Sequence, residues 1–141
     1  MNHEDKEKKF TLEEAEALIP QLEQIMSSIM DHKRSAADLA EELAELQRES
    51  RRSGGKGMDP SLLMNKQTEI DFLVQIISEG LEALEALGGE PKDLDTGLVD
   101  FPAIIDGESV LLCWRYGEKS IDYYHNLSDG FAGRKPINRR K

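Results

Sequence analysis

The 141-residue chain has a single cysteine, no long apolar run and little basic charge for its acidic content. Because Cys113 is the lone cysteine, the chain cannot form an internal disulfide. Proteins of a reducing compartment commonly lack disulfides. No segment approaches the roughly 20 apolar residues that a membrane-spanning helix needs. Residues 1–10 also lack the apolar stretch of a secretory signal. The sequence therefore predicts a cytoplasmic protein that does not enter a membrane.

The excess negative charge lies in the first two thirds of the chain. Residues 1–90 hold 20 acidic and 10 basic side chains, whereas residues 91–141 hold eight of each. The whole net charge of −10 therefore belongs to the first part. Because nucleic-acid backbones select basic surfaces, this distribution argues against binding to DNA or RNA.

The length fits one folding unit, and changes in the residue pattern divide it into four parts. These are a flexible N-terminus at 1–10, a helical hairpin at 11–90, a β segment at 91–137 and a basic tail at 138–141. We therefore expect an α+β fold. It consists of a long antiparallel two-helix hairpin, similar to a coiled coil, with a small C-terminal antiparallel β meander packed at its base.

The first helical stretch begins with the signature of a capping box. Thr11 is the expected N-cap, Glu14 follows three residues later, and Phe10 has the position of a hydrophobic staple. Apolar residues then recur at alternating spacings of three and four to about Arg51, as in a coiled-coil seam. His32 is the polar exception, interpreted as a tolerated seam histidine, with a ligand role across a dimer as the alternative.

Pro20 interrupts this stretch, because it has no amide hydrogen and its ring presses on the carbonyl of Glu16. Two arrangements fit: one helix kinked at Pro20, or two helices separated near Ile19. Since isoleucine is a poor N-cap, the sequence favours the continuous, kinked helix.

The second helix has equally clear ends. Glycine-rich residues 53–58 predict a turn, and Asp59 followed by Pro60 predicts the N-cap and first helical position. Gly88 and Gly89 predict a left-handed stop. The short connection predicts that the two helices pack antiparallel.

The apolar stripe of the hairpin is wider at its base than at its tip. Ile19, Met26 and Met30 widen it in the first helix, and Val74 and Ile76 widen it in the second. A two-helix seam does not bury so broad a stripe. A third layer is therefore expected, either the C-terminal segment or a second copy of the hairpin.

The last third of the chain has short runs rich in β-branched and aromatic residues. Three strands of a meander are predicted at 98–105, 109–114 and 119–124, the first two joined by a turn at 106–107. Pro102 predicts that the first strand lies at an edge or contains a bulge. An ordered loop is expected at 125–137.

Four blocks, FTLEEAEALIPQL at 10–22, DLDTGLVDFP at 93–102, LCWRYGE at 112–118 and YYHNLSDGFAGRKPI at 123–137, resemble the bacterial domain of unknown function 2203 family. The blocks occur in matching order, and the similarity extends over most of the chain. The family more often has Trp and Glu where this chain has Tyr124 and Asn126. The resemblance implies a shared architecture and supplies no activity, because the family is uncharacterised.

Four polar residues of these blocks are candidate ligand-binding residues, since strand ends and loops commonly present sites. The four are Arg115, Glu118, His125 and Arg134. Two arginines can hold a carboxylate or phosphate, and a histidine titrates near neutral pH. Aromatic side chains would wall such a pocket, namely Trp114, Tyr123, Tyr124 and Phe131.

A purely structural interpretation of the same residues is the alternative. In that interpretation the arginines pair with Asp100, Asp122 or Asp129, the aromatic side chains form the core, and His125 caps a loop. Ion-pair networks that only stabilise a fold also gather such residues.

No metal site or cofactor is predicted. Cys113, His125 and nearby aspartates offer ligand atoms, but the chain has no CxxC or HxxxH pair, and the ligands would come from distant segments. No serine lies in a G-x-S-x-G context either. Nucleophilic catalysis therefore has no support in the sequence.

Two functional hypotheses follow. The leading one is a non-enzymatic protein-interaction or structural protein that acts through its helical hairpin, as a homodimer or with a protein partner. The alternative is a small anion-binding or catalytic domain that recognises a phosphorylated or carboxylated metabolite at Arg115, His125 and Arg134.

Overall fold

A computed structural model describes residues 8–57 and 59–138, without the side chain of Phe131. Residues 1–7 of the predicted flexible N-terminus and residues 139–141 of the predicted basic tail lie outside the described part. The helices are α1 (Leu12–Glu16), α2 (Ile19–Arg52) and α3 (Pro60–Leu87). The strands are β1 (Glu90–Asp93), β2 (Leu98–Ile105), β3 (Glu108–Arg115), β4 (Tyr123–Asn126) and β5 (Lys135–Pro136).

The predicted α+β architecture is confirmed. Helices α2 and α3 pack along each other as a hairpin, and the five strands form one sheet in the order β1-β2-β3-β4-β5. Every neighbouring pair of strands is antiparallel. Within the described residues, no helix is both long and apolar enough to cross a membrane.

The predicted helix ends are also confirmed. The Thr11 hydroxyl accepts a hydrogen bond from the Glu14 amide at 3.0 Å, and the Glu14 carboxylate accepts one from the Thr11 amide at 2.9 Å. At the start of α3 the Asp59 carboxylate accepts from the Ser61 amide at 3.0 Å. Gly88 ends α3 with a left-handed φ of 98°, which glycine adopts without steric cost.

The prediction of one continuous helix kinked at Pro20 is wrong, because the structure has two helices. Helix α1 ends at Glu16 and α2 begins at Ile19, with Ala17 and Leu18 between them. Pro20 cannot donate a hydrogen bond to the Glu16 carbonyl, so the hydrogen-bond ladder is interrupted there. It lies in the first turn of α2, where a missing amide hydrogen has no cost.

The sheet provides the third layer that covers the base of the hairpin. One face of the sheet, termed here the inner face, packs against the helices through Val99, Phe101, Ala103, Val110, Leu112 and Trp114. The helices contribute Ala15, Ile19, Leu22, Met26, Ile29 and Leu84 to this core. Close packing of α2 on α3 depends on Gly80, where an added Cβ would lie 2.7 Å from Cγ1 of Ile29.

Phe10 joins the segment before α1 to the core instead of serving only as a local staple. Its ring meets the Phe101 ring edge-on with centroids 5.1 Å apart. Its amide donates to the Pro102 carbonyl at 2.7 Å, next to an isolated parallel bridge to Ala103. A Cβ added at Gly88 would collide with the same ring. Three distant segments therefore meet at Phe10.

The predicted hairpin between β2 and β3 is confirmed, whereas the remaining strands differ from expectation. Asp106 and Gly107 have φ values of 52° and 81°, as a two-residue type I′ turn requires. The third predicted strand, at 119–124, begins later and forms β4. Strand β1 was not expected, and the predicted loop at 125–137 contains the end of β4 and all of β5.

The prediction that the first strand lies at an edge of the sheet is wrong for β2 as a whole, although Pro102 itself lies beyond the end of the pairing with β1. Strand β2 lies between β1 and β3, and Pro102 pairs in register with Leu111. The pairing with β1 ends at Asp100, and the Pro102 carbonyl accepts from Phe10 on that side. The backbone N and O of one strand residue point to the same side of the strand. The Pro102 nitrogen therefore faces the β1 side of β2, beyond the last residue that pairs with β1.

Candidate functional site

Three ligand-type side chains meet on the face of the sheet opposite the helices, termed here the outer face. Asp100 of β2 is paired in register with Cys113 of β3, and His125 lies on β4 two residues beyond the partner of Cys113. Their exposed fractions are 2%, 1% and 3%. One ligand atom from each lies within 4.8 Å of the other two. Strand pairing thus creates a buried carboxyl–thiol–imidazole group, termed the buried triad.

The hydrogen bonds of His125 define where its protons lie. Nδ1 is 2.9 Å from the Asn126 carbonyl oxygen, and Nε2 is 2.9 Å from Oδ2 of Asp100. A carbonyl oxygen only accepts, so Nδ1 carries a hydrogen and donates. One further proton then lies between Nε2 and Oδ2. Whether that proton is on the imidazole or on the carboxyl group, the pair as a whole is neutral.

The burial of Asp100 and Cys113 alters their acid–base behaviour. Burial raises the pKa of the Asp100 carboxyl group, an effect that the neighbouring His125 opposes. Burial also raises the pKa of the Cys113 thiol to about 12, and the Asp100 carboxylate acts in the same direction. The thiol is therefore protonated at neutral pH. A protonated thiol is a poor nucleophile, and both nitrogens of His125 are already hydrogen-bonded.

Asp100 has one further feature that distinguishes it from an ordinary ion-pair partner. Its second oxygen, Oδ1, is buried and makes no hydrogen bond to any residue that the structure describes. A buried acceptor left without a donor typically costs about 1–3 kcal/mol. The buried triad therefore contains a carboxylate oxygen whose bonding capacity is unused by the described chain.

Glu118 organises the second group of polar residues. Its carboxylate accepts from Nη2 of Arg134 at 3.1 and 3.0 Å and from the Arg115 amide at 2.8 Å. Its backbone carbonyl accepts from the indole nitrogen of Trp114 at 3.0 Å. These bonds fix the connection between β3 and β4.

Arg134 links this second group to the buried triad. Its guanidinium lies 4.2 Å from the centroid of the Tyr123 ring, in cation–π geometry. The same guanidinium donates to the Cys113 carbonyl at 3.4 Å. Arg134 therefore lies over the outer face beside Cys113, with its charge compensated by Glu118.

The structure brings some of the predicted site residues together and separates others. Arg115, Glu118 and Arg134 are neighbours, whereas the imidazole of His125 is bonded to Asp100. Arg134 pairs with Glu118, a partner that the structural alternative based on sequence did not include. Trp114 is fully buried on the inner face. The side chain of Phe131 lies outside the described residues, and anion binding by the others stays a prediction.

A groove of about 770 Å³ lies elsewhere and is lined by residues 9–12 and by the ends of β2 and β5. Tyr124 lines it together with apolar residues, but Arg115, His125 and Arg134 do not. The predicted charged residues and this groove therefore do not form one ligand pocket.

The partnership of Asp100 with His125 was missed from sequence, where Asp100 was considered only as a partner of arginine. A signal was present: Asp100 stands between Val99 and Phe101 in a strand of otherwise apolar residues. An acid in such a run is rarely buried unless it is paired. The identity of that partner depends on strand register, which the sequence does not contain.

Comparison with known proteins gives a family and no function. No curated protein and no solved structure matches the chain. A family model described as "Uncharacterized conserved protein (DUF2203)" matches residues 8–137, which include every helix and strand of the fold. The chain therefore belongs to the DUF2203 family.

Proposed function

We propose that this protein is a non-enzymatic interaction protein whose helical hairpin pairs with a second copy through α3. The observation that carries the proposal is the exposure of large apolar side chains along this helix. The exposed fractions are 42% for Leu62, 68% for Met64, 66% for Phe72 and 52% for Val74.

Helix α3 is poorly covered by the rest of the chain. Leu84 is its sole fully buried hydrophobic residue, and the main contact of the sheet with α3 is made by β1, near the end of the helix. Leu73 and Ile77, on the side that faces α2, are only half-buried. A helix with apolar residues on more than one side usually packs against more than one neighbour.

The charge of α3 also favours a second copy. Between residues 62 and 77 the helix has three charged side chains, Lys66, Glu69 and Asp71, although residues 1–90 as a whole are strongly acidic. Two acidic molecules repel least where their surfaces carry little charge. The middle of α3 is such a surface.

Position within the helix supports a twofold contact. Phe72 lies near the midpoint of α3, which spans Pro60–Leu87, and Ile76 is one turn away on the same side. A twofold axis at Phe72 brings the two Phe72 rings together and makes the contact self-complementary. The two hairpins then form a four-helix arrangement.

Sedimentation equilibrium of the full chain tests this proposal. The monomer mass is 15.9 kDa, and we expect the wild-type protein to have twice this mass at micromolar concentration. Phe72→Glu should give the monomer mass, because it buries a charge in the contact. Leu127→Glu is the matched control, since Leu127 is 61% exposed on a loop away from α3, and it should remain dimeric.

Two results would contradict the proposal. One is a strictly monomeric wild-type protein up to high micromolar concentration. The other is a Phe72→Glu variant that associates as strongly as the Leu127→Glu control. Circular dichroism of both variants checks that their helices are intact.

The anion-binding alternative has less support. Arg134 is already paired with Glu118 at 3.0 Å, and His125 is bonded to Asp100 at 2.9 Å. An anion would have to displace these carboxylates or rely on the exposed Arg115 alone.

A further inference from the structure

We propose that Asp100, Cys113 and His125 form a binding site for one divalent transition-metal ion, with Zn²⁺ as the ion whose ligand preference fits best. A thiolate, an imidazole and a carboxylate are the three side-chain ligands that Zn²⁺ takes in proteins. This inference departs from the sequence-based expectation of no metal site. That expectation rested on the large sequence separation of the ligands. Strand pairing brings the same residues together in space.

The positions of the ligand atoms suit a single ion. They lie within 4.8 Å of one another, and Nε2 of His125 is 2.9 Å from Oδ2 of Asp100. Zn–ligand bonds of about 2.0–2.3 Å in a tetrahedron place ligand atoms about 3.5 Å apart. Small side-chain rotations therefore suffice, because three adjacent strands of one sheet already hold the three Cα atoms.

His125 has the hydrogen bond that metal-binding histidines commonly have. Its Nδ1 donates to the Asn126 carbonyl, which fixes the orientation of the ring and directs Nε2 towards Asp100. A histidine ligand usually donates its other N–H in this way, to a carbonyl or a carboxylate. The backbone of β4 thus orients the imidazole before any ion binds.

The unpartnered Oδ1 of Asp100 is the independent observation that points to a ligand. This oxygen belongs to a side chain that is only 2% exposed, and it accepts no hydrogen bond from the described residues. Metal coordination would satisfy this oxygen, which takes no hydrogen bond from the described residues. The competing structural explanation is the interaction of the Asp100 carboxyl group with the Cys113 thiol, which requires a protonated Cys113 and therefore excludes the thiolate band tested below.

The charge balance of the exchange is favourable. Without metal the buried triad is neutral and holds two exchangeable protons, one on the Cys113 thiol and one shared between His125 and Asp100. When Zn²⁺ binds, both protons leave to solvent, and the thiolate, the carboxylate and the neutral imidazole coordinate the ion. The net charge is zero before and after, so binding places no uncompensated charge in the protein interior.

The experiment uses the full chain without a polyhistidine tag, freed of metal by a chelator, and titrates it with Co²⁺ as a spectroscopic substitute for Zn²⁺. We expect one equivalent to bind, with a thiolate-to-cobalt charge-transfer band that Zn²⁺ abolishes by displacement. Calorimetry in buffers of different ionisation enthalpy should show the release of about two protons per Zn²⁺. Zn²⁺ should also raise the melting temperature of the chain.

Two variants locate the site. Cys113→Ser should lose the charge-transfer band and bind Zn²⁺ at least about 100-fold more weakly. His32→Gln is the matched control, because His32 lies half-buried on α2 and bonds only locally to Ser28, so it should bind like wild type.

The proposal is overturned if the wild-type chain binds no Co²⁺, or if it binds without the thiolate band. It is equally overturned if Cys113→Ser binds as tightly as wild type. Should Cys113→Ser fail to fold, the band and the proton release of the wild-type chain decide the question without it.

Discussion

Nε2 of His125 lies 2.9 Å from Oδ2 of Asp100, and the two side chains are 4% and 2% exposed. Because Nδ1 of the same ring donates to a carbonyl, one proton serves both the imidazole and the carboxyl group. The imidazole and the carboxyl group therefore form one hydrogen-bonded unit inside the folded chain.

The first prediction concerns the pH dependence of stability in the metal-free protein. Burial raises the pKa of Asp100, so the folded state retains a proton that the unfolded carboxyl group releases. Its stabilising effect is complete below the ordinary carboxyl pKa of about 4 and is lost as pH rises through the folded value. Asp100→Asn cannot ionise, so its free energy of unfolding should increase relative to wild type as pH rises.

Urea denaturation of both proteins at a series of pH values, with a chelator present, measures this difference. Parallel stability curves for Asp100→Asn and wild type would contradict the assignment of a shared proton. The amide of the variant can still donate to Nε2 of His125, so loss of the hydrogen bond alone should not dominate.

The second prediction concerns the ion pair between Glu118 and Arg134, whose side chains are 25% and 14% exposed. Glu118→Gln should lower the free energy of unfolding by about 1–3 kcal/mol, because it removes the negative charge that Glu118 places beside a largely buried guanidinium. Arg115→Gln is the control and should change stability by less than about 0.5 kcal/mol, since the Arg115 side chain is exposed. Equal losses in the two variants would show that the ion pair has no special role.

Local signals allowed the start of the first helix and both ends of α3 to be predicted, whereas the break between α1 and α2 was not favoured. The Thr11 and Glu14 capping box, the Asp59 N-cap and the Gly88 stop each depend on residues within four positions of one another. Such interactions are readable from sequence because they do not require the rest of the fold. The turn at residues 106–107 was predictable for the same reason.

The sheet and the buried triad were less predictable, because both depend on contacts between distant residues. Strand β1 has a mixed sequence, EPKD, and exists because it pairs with the edge of β2. The same dependence explains why His125 was expected at a loop and is instead buried beside Asp100. Periodicity identifies an element, but register decides which side chains meet.

The third prediction tests the close approach of α2 and α3 at Gly80. Alanine is the better helix former by about 1 kcal/mol, yet its Cβ would lie 2.7 Å from Cγ1 of Ile29, a side chain that is 1% exposed. We expect overpacking to outweigh propensity, so Gly80→Ala should lower the free energy of unfolding by about 1–2 kcal/mol. Ser78→Ala, at an exposed site on the same helix, should not destabilise the protein.

A double-mutant cycle provides the decisive comparison for this contact. In an Ile29→Ala background, Gly80→Ala should lower the free energy of unfolding by less, because Cγ1 of Ile29 is no longer present to collide with the added Cβ. An unchanged penalty would show that the helices do not meet at this point.

The fourth prediction separates backbone strain from steric collision at Gly88. Gly88→Ala combines a left-handed φ of 98° with a collision against the Phe10 ring. Gly54→Ala is the matched control, since its φ is 67° and nothing lies within 4 Å of an added Cβ. Left-handed strain alone costs about 1–2 kcal/mol. Gly88→Ala should therefore lose more free energy of unfolding than Gly54→Ala, as measured by thermal and urea denaturation. Equal losses would mean that Phe10 does not pack against Gly88.

The docking of Phe10 has a consequence for the order of folding. The hairpin and the β2–β3 turn close through short loops, which form quickly. The Phe10 amide, in contrast, bonds to Pro102, so it needs a partner that exists only after most of the chain has collapsed. We expect this contact to form late and to open first, which amide hydrogen exchange at Phe10 would reveal as weaker protection than in the middle of β3.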